Sequence, residues 1–201
     1  DKSLLQIDGV TAAGRLYHRL MPHFDEVMFS AAPGQNPPVD GARCIIDTIP
    51  DSGPLAGMAS ALAASPAGVN FVIACDIPDI DVSLMRKLLS CMEDCQIAVP
   101  VLTPDRPETL YAVYKREVAV TAKRLVKDGI RKVLALYPLH KTCFIAVWDT
   151  AWYANLNTPE DVVRYGQSNR EGRCDPVWKK QAGRKTVDGG QTAVSRSSGS
   201  S

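Results

Sequence analysis

A carboxylate directly follows a run of apolar residues near the middle of the chain. The run Val72–Cys75 is followed by Asp76, Ile77 and Pro78. The carboxyl end of a buried parallel strand is where open α/β sheets bind their ligands, and a lone carboxylate is costly to bury there without a partner. Mg²⁺ takes one or two such carboxylates and fills its shell with phosphate oxygens and water. The pattern therefore predicts a metal-ligating role for Asp76.

Two further carboxylates, Asp79 and Asp81, follow within five residues of Asp76. Asp81 stands directly before a predicted helix, where Asp is a favoured N-cap that accepts hydrogen bonds from helix amides. We therefore interpret Asp81 as a helix cap, and the sequence leaves the role of Asp79 open.

The run Gly53–Gly57, with the sequence Gly-Pro-Leu-Ala-Gly, is typical of a helix entry. Ser52 can cap the helix, and Pro54 suits its first turn. Such an N-terminus offers unpaired backbone N–H groups and the positive end of the helix dipole to an anion or a base edge. A plain capped helix packed closely on a strand would have the same sequence, so both interpretations stay open.

A third run, Asn155–Asp161, has the sequence Asn-Leu-Asn-Thr-Pro-Glu-Asp. Thr158, with a proline next and Asp161 three residues on, predicts a helix start of the capping-box type. Asn155 and Asn157 point the same way in an extended segment, so two amides would face one site. Paired amides suit a heterocycle with donors and acceptors, such as a pterin, whereas two turn-forming asparagines are the structural alternative.

The elements that must position these residues alternate between strand and helix. Strands are predicted at Glu26–Ala31, Arg43–Ile46, Asn70–Cys75, Gln96–Val101, Leu110–Tyr114 and Thr142–Val147. Helices are predicted at Ala13–Phe24, Gly57–Ser65, Asp81–Asp94, Glu117–Val126 and Arg131–Tyr137. This alternation predicts an α/β fold with a mostly parallel sheet that is covered by helices on both faces.

The composition changes near Tyr165, and we expect one domain over residues 1–166 and a basic, Gly/Ser-rich flexible tail over residues 167–201. The tail holds seven Lys/Arg against three Asp/Glu and ends in Ser-Arg-Ser-Ser-Gly-Ser-Ser. Such a segment cannot bury enough apolar area to offset the entropy of ordering it.

With 45% hydrophobic and 22% charged residues, the composition is that of a globular protein. The net charge of +1 does not favour binding to nucleic acid or to an anionic membrane. No apolar run approaches the roughly 20 residues of a membrane helix. The six cysteines form no Cys-x-x-Cys pair or zinc-type set. We therefore expect no nucleic-acid or membrane partner, and a reducing cytoplasmic location.

In their order and spacing, Gly53–Gly57, Cys75-Asp76-x-Pro78 and Asn155–Asp161 resemble the molybdenum cofactor guanylyltransferase family, over residues 1 to about 165. Members of that family have a Rossmann-like nucleotidyltransferase domain and transfer GMP from Mg·GTP to the phosphate of molybdopterin. The resemblance implies an enzyme with GTP and molybdopterin as substrates, Mg²⁺ as cofactor, and molybdoenzymes or their chaperones as further partners.

The resemblance also assigns roles by position. The residues that it places on the nucleotide are Lys2, Asp47, Gly53, Pro54, Leu55 and Asp76. Lys2 would meet the triphosphate and Asp76 would hold the metal, so both would be catalytic. Asn155 and Asn157 would face molybdopterin.

Two departures from the family pattern matter. The glycine-rich loop that precedes the Asp-Lys pair in the family is absent from this sequence. Because glycine lets backbone N–H groups curl around phosphates, we expect the chain as given to bind GTP poorly and not to turn over until such a segment precedes Asp1. In the base-binding region, where members often carry Asn, the chain has Ser30-Ala31-Ala32.

Two other functions stay open. One is a related cytidylyl- or sugar-phosphate nucleotidyltransferase, which would share the fold and the metal site. The other is a non-catalytic cofactor-binding module of a fusion protein.

Overall fold

The computed structural model describes residues 6–7, 9–35, 37–47, 53–103, 106–148, 153, 158, 160–161 and 163–165. Its strands are β1 (Gln6–Ile7), β2 (Val10–Thr11), β3 (Met28–Ala31), β4 (Arg43–Ile46), β5 (Val69–Ile73), β6 (Ile97–Thr103), β7 (Arg106–Pro107), β8 (Tyr111–Lys115) and β9 (Thr142–Ala146). Its α-helices are α1 (Ala12–Leu20), α2 (Gly53–Ala64), α3 (Val82–Ser90) and α4 (Val118–Lys127), and 3₁₀ turns span Cys91–Glu93 and Val133–Leu139. Residues 167–201 lie outside the described residues, so the domain boundary at 166 stays a prediction.

The main sheet has the strand order β5-β8-β6-β9, and β3 pairs with β4 in a separate parallel ladder. β6 runs parallel to β9, and both β5 and β6 run antiparallel to β8, so β5, β6 and β9 share one direction. β8 is reversed because a short connection leads to it from β6, whereas a parallel partner needs a crossover of a dozen or more residues. The predicted α/β class is confirmed, and β7 and β8 run opposite to the other three strands of the main sheet.

Helices cover both faces of the main sheet, as predicted. Ile97 and Val99 of β6 lie in one core with α2 and α4, whereas Ala98 between them lies in a second core with α3. Because successive strand residues point to opposite faces, the two cores are on opposite sides of the sheet. Helix α1 adds to the α3 side, where its leucines pack beside Phe71 and Ile73 of β5.

Helix α2 runs antiparallel to β4. At the start of β4, the Arg43 guanidinium donates to the carbonyl of Ala64 at the end of α2, at 2.9 Å. At the other end of the strand, Asp47 lies against Gly57 in the first half of α2. The helix therefore returns the chain to the edge where β4 begins, and β5 starts there.

The predicted boundaries shift where local signals compete. The last predicted helix is instead a 3₁₀ turn that contains Pro138, which lacks the N–H that an α-helix needs. α1 ends at Leu20, before Pro22, whereas α2 begins at Gly53, as the helix entry predicted for Gly53–Gly57 requires. The two-residue strands β1, β2 and β7 were not predicted, because two residues cannot show a strand period. None of the described helices is long and apolar enough to cross a bilayer.

Asp81 caps α3, which confirms its predicted structural role. Its Oδ1 accepts hydrogen bonds from the backbone N–H groups of Ser83 at 2.9 Å and Leu84 at 3.0 Å. The Tyr111 hydroxyl donates to the Asp81 carbonyl at 2.9 Å, which ties the cap to β8. The carboxylate of Asp81 is thus committed to the start of the helix.

The substitution Asp81→Ala removes the acceptor of two helix amides and should lower the free energy of unfolding by about 1 kcal/mol. Urea unfolding followed by circular dichroism measures this change. Asp81→Asn keeps a capping oxygen and should stay within a few tenths of a kcal/mol of the parent chain. Equal stability of the alanine variant and the parent would contradict the capping role.

Candidate active site

The carboxyl end of the β3–β4 pair carries a hydrogen-bonded serine and aspartate. The Ser30 hydroxyl in β3 donates to Asp47 Oδ1 at 2.6 Å, and the Asp47 N–H donates to the Ala31 carbonyl at 2.9 Å. Asp47 directly follows β4 and is half-buried. Its carboxylate is therefore held in one orientation at the strand end, with acceptor capacity left over for a ligand.

The backbone of α2 approaches this carboxylate closely at Gly57. A Cβ atom at position 57 would lie 2.8 Å from Ser30 Oγ and 3.0 Å from Asp47 Oδ2. The 2.8 Å contact is shorter than real Cβ atoms show and the 3.0 Å contact is unusually tight, so a larger residue would shift the Ser30 side chain and crowd the Asp47 carboxylate. The negative carboxylate thus lies beside the first turns of a helix, where the helix dipole is favourable to it.

The start of α2 is also close to a basic residue. Gly53 has φ +70°, and a Cβ there would lie 3.4 Å from Arg131 Cβ and 3.5 Å from its carbonyl oxygen. Arg131 thus lies beside the start of the Gly53–Gly57 run through its Cβ atom and its backbone carbonyl. Pro54 is exposed, whereas the Leu55 side chain is fully buried in the core. Any ligand contact of Leu55 would therefore come from its backbone.

Asp76 lies in the turn that directly follows β5. The turn is closed by a hydrogen bond from the Ile77 N–H to the Ala74 carbonyl at 3.2 Å, and Asp76 is half-buried. No residue in the described part of the chain forms a hydrogen bond or an ion pair with its carboxylate, in contrast to Asp79 and Asp81. Asp79 is buried and ion-paired with Arg19 of α1. Of the three carboxylates, Asp76 is thus the one available to a cation.

The residue before Asp76 is not a competing metal ligand or nucleophile. Burial and the neighbouring Asp76 carboxylate raise the pKa of the Cys75 thiol to about 11, so the thiol stays protonated at neutral pH. The described residues contain no group of three or more His, Cys, Asp or Glu side chains that could hold a metal by themselves. A cation at Asp76 would need oxygens from a ligand or from water.

A single cavity of about 1020 Å³ connects the two strand ends. Ser30, Asp47 and Gly57 line it on the side of β3 and β4, and Ala74 and Cys75 line it at the end of β5. The cavity therefore extends from the Asp47 region to Cys75, the residue before Asp76.

The third run is described only in part, since Asn155 and Asn157 lie outside the described residues, as does Lys2. The capping box is confirmed. The Thr158 N–H donates to Asp161 Oδ2 at 3.0 Å, and the Asp161 N–H donates to Thr158 Oγ1 at 3.1 Å. This helix start is connected to α1, because the Arg15 guanidinium lies 5.5 Å from the centre of the Tyr165 ring. The roles of the three undescribed residues stay predictions.

The sequence patterns assign no role at the site to Ser30 or Arg131. Ser30 is separated by 17 positions from the carboxylate it contacts, and Arg131 lies far along the chain from Gly53. Ser30 ends a predicted strand on the same edge as Asp47, which is the signal that could have linked them.

Comparison with known proteins gives a consistent result. Residues 1–142 match the MobA-like NTP transferase domain family. The chain is 30% identical over 176 residues to a molybdenum cofactor guanylyltransferase of Burkholderia orbicola, covering 81% of this chain and 85% of the relative. It is 28% identical over 186 residues to a probable molybdenum cofactor guanylyltransferase of Pelotomaculum thermopropionicum, and the match covers 89% of this chain and 90% of the relative.

A solved structure has the same fold. Molybdopterin-guanine dinucleotide biosynthesis protein A from Archaeoglobus fulgidus superimposes with a TM-score of 0.69 at 23% identity. The match covers 85% of this chain and 91% of the other.

The substitution Gly57→Ala should displace the Asp47 carboxylate, because the added methyl would meet Ser30 Oγ and Asp47 Oδ2 at 3.0 Å or less. Both obstacles are ends of side chains that can rotate, so we expect a change of at most about 1–2 kcal/mol in stability. Calorimetry with GTP should show an affinity at least about tenfold lower, measured in a polypeptide with a glycine-rich segment fused ahead of Asp1.

Gly68→Ala is the matched control, because a Cβ there meets nothing within 4 Å. An unchanged affinity of Gly57→Ala would contradict a role for this contact in ligand binding.

Proposed function

The chain belongs to the MobA-like NTP transferase family, and we propose that it transfers GMP from Mg·GTP to the phosphate of molybdopterin, forming molybdopterin guanine dinucleotide. The observation that carries the proposal is a carboxylate, Asp47, oriented by Ser30 beside the start of a helix on a cavity that extends to Cys75, the residue before the unpartnered carboxylate of Asp76. A nucleotide needs such a site, with acceptors for ribose hydroxyls or base N–H groups and donors for phosphates.

On the nucleotide side, Asp47 accepts hydrogen bonds from the base or the ribose of GTP. Ser30 fixes the orientation of that carboxylate through the 2.6 Å hydrogen bond. The backbone amides at the start of α2, from Gly53 to Leu55, face the nucleotide with the positive end of the helix dipole. Arg131 beside Gly53 supplies positive charge for a phosphate group, and Lys2 does the same for the triphosphate.

The residues present fit Mg²⁺ at Asp76. One half-buried carboxylate without a protein partner in the described part of the chain matches the preference of Mg²⁺ for one or two carboxylates with phosphate oxygens and water. When bound, the metal would neutralise phosphate charge and orient the phosphates. Asp76 is the residue that would hold it, and the buried ion pair of Asp79 with Arg19 supports the turn that carries it.

The transfer itself needs little acid–base chemistry from the chain. An oxygen of the molybdopterin phosphate attacks the α-phosphorus of GTP, one P–O bond forms, the bond to the β-phosphate oxygen breaks, and pyrophosphate leaves. The attacking phosphate is ionised at neutral pH, so no general base is required, and positioning and charge neutralisation dominate the rate. Asn155 and Asn157 hold the pterin, and the product passes to a molybdoenzyme or its chaperone.

Asp76→Asn should lower the rate of Mg²⁺-dependent guanylyl transfer by at least about a hundredfold, because the amide keeps the shape but not the charge that the cation needs. The assay follows formation of the dinucleotide in a polypeptide with a glycine-rich segment fused ahead of Asp1. The thermal midpoint should stay the same, since no described residue forms a hydrogen bond or an ion pair with the Asp76 carboxylate. Asp79→Asn is the contrasting control and should lower the midpoint, because it breaks a buried ion pair.

The same assay tests the donor, with GTP, CTP and ATP each offered in turn. Preference for GTP supports the proposal. Preference for CTP would move the chain to the cytidylyltransferases, and inactivity with every donor would favour the cofactor-binding module. Near-parental activity of Asp76→Asn would refute the metal-ligand role.

Asn155→Ala combined with Asn157→Ala should weaken molybdopterin binding while GTP binding is retained. Each hydrogen-bond partner that is lost from the polar edge of the buried ligand costs about 1–3 kcal/mol of binding free energy, or roughly ten- to a hundredfold in affinity. Calorimetry measures the affinity for GTP, and a pull-down measures the binding of molybdopterin separately. An equal loss of affinity for GTP and for molybdopterin would mean that the two asparagines support the fold.

A further inference from the structure

Strand β9 is the outermost strand of the main sheet, at the end opposite β5. The Val147 N–H, directly after β9, donates to the Val101 carbonyl of β6 at 3.1 Å, so the odd-numbered residues of this segment bond to β6. Every second residue of a parallel strand bonds to a given neighbour. The backbone N–H and C=O groups of the residues between them therefore point away from β6; these residues are Thr142, Phe144 and Ala146. None of the other described strands pairs with that edge.

The outer edge of β9 has none of the features that ordinarily protect an edge strand. Native proteins keep such edges from pairing by means of charged residues, proline, β-bulges or very short strands. The five residues of β9, Thr-Cys-Phe-Ile-Ala, include no charge and no proline, and their register with β6 is continuous. The edge is therefore open to hydrogen bonding with a further strand.

An apolar surface lies beside this edge. Phe144 is 55% exposed, and its ring makes an edge contact with Tyr137 of the second 3₁₀ turn, with ring centres 5.6 Å apart. Leu134 and Leu139 of the same turn are each about half exposed, and Trp148, two residues after β9, is 94% exposed. Exposed apolar groups that cluster in this way are typical of a protein–protein contact.

We propose that β9 is a dimerisation surface, at which a second copy of this chain adds its own β9 in antiparallel orientation about a two-fold axis at Phe144. In this register Phe144 lies opposite its own counterpart, and Thr142 lies opposite Ala146 of the second copy. Each residue whose backbone groups point away from β6 then faces another such residue, and each of these pairs exchanges both N–H···O=C hydrogen bonds. The main sheets of the two copies become one continuous sheet.

The side chains of β9 are compatible with this symmetric register. Residues directly opposite each other in an antiparallel pair share one face of the sheet, with Cβ atoms about 5 Å apart. The small side chains of Thr142 and Ala146 face each other on either side of the axis and leave room for the two Phe144 rings. Lys141, the charged residue next to the strand, lies opposite Val147 of the second copy, so like charges do not meet. A strand that is complementary to itself favours a second copy over an unrelated partner, and two-fold dimers are the commonest oligomers.

The size of the contact predicts a reversible dimer. At about 150–250 Å² for a fully buried aromatic side chain, the exposed parts of Phe144 and Trp148 correspond to about 300 Å² of apolar surface in each copy. With the strand edge and the two half-exposed leucines, a two-fold contact comes to roughly 1,000 Å², which is at the low end of specific interfaces. β9 is at the end of the main sheet away from β5, which lines the cavity with Asp47, so the dimer leaves that cavity open. The inference rests on the strand edge and does not depend on the proposed function.

Sedimentation velocity of the 201-residue chain at increasing concentration should show a monomer that converts to a dimer. Ala146→Pro removes an N–H that points to the second copy and none that bonds to β6, and Phe144→Lys places two like charges at the axis. Each substitution should raise the dissociation constant of the dimer at least about tenfold, while circular dichroism shows an unchanged fold. Val120→Lys is the matched control, because Val120 is an exposed apolar residue of α4 that lies on neither β9 nor the 3₁₀ turn, and its dimer should dissociate as the parent's does.

Amide hydrogen exchange tests the register of the contact residue by residue. The amides of Thr142, Phe144 and Ala146 should exchange at least about tenfold more slowly at concentrations where the dimer predominates than at those where the monomer does. The amides of Cys143 and Ile145 bond to β6, so they should stay protected at every concentration. This alternation distinguishes a paired strand from a contact of side chains alone.

Three results would overturn the proposal. One is a chain that stays monomeric at every concentration, with the amides of Thr142, Phe144 and Ala146 unprotected. A second is a dimer that persists in both Ala146→Pro and Phe144→Lys, because its contact would lie elsewhere. The third is protection of these amides in the monomer already, and if it disappears on deleting residues 167–201, the tail covers the edge. None of these results bears on guanylyl transfer, which the donor assay tests separately.

Discussion

The close approach of helix α2 to the end of strand β4 determines the geometry of the candidate site. Gly57 allows the helix backbone to lie against Asp47, and a single methyl group at that position would meet both Asp47 and Ser30. From this contact the helix runs back along β4 to Arg43 and delivers the chain to the start of β5. The position of Asp76, at the far end of β5, thus depends on how α2 packs. The distance between helix α2 and strand β4 therefore influences the spacing between the carboxylates of Asp47 and Asp76.

Of the three carboxylates between β5 and α3, two contact other groups of the protein and one is left for a ligand. Asp79 is paired with Arg19, and Asp81 is used by the amides of α3. These commitments stabilise the segment between β5 and α3, which would otherwise carry three negative charges within six residues. Asp76 is left for a cation because no described residue forms a hydrogen bond or an ion pair with its carboxylate. The neighbouring thiol stays protonated and adds no further negative charge.

Much of this arrangement could be predicted from the sequence, because it depends on local patterns. The Asp81 cap and the Thr158–Asp161 capping box follow from residue types at fixed short spacing, and the strand that leads to Asp76 follows from its apolar run. The pairing of Arg19 with Asp79 joins residues 60 positions apart, and no local pattern encodes it. The same holds for Ser30 with Asp47 and for Arg131 with Gly53. The apolar run of β8 predicts a strand but not its direction, which depends on the length of the connection from β6.

The reversed strand β8 has a consequence for the order in which the molecule assembles. β6, β7 and β8 are joined by short connections, so their pairing closes small loops and costs little chain entropy. The β3–β4 ladder is equally local, since it pairs residues 15 positions apart, whereas β5–β8 and β6–β9 pair residues 38 to 46 positions apart. Contacts of low sequence separation form fastest, so the β3–β4 and β6–β8 ladders are positioned to form first. The attachment of β5 to the sheet, and with it the placement of Asp76 relative to Asp47, would then come later in folding.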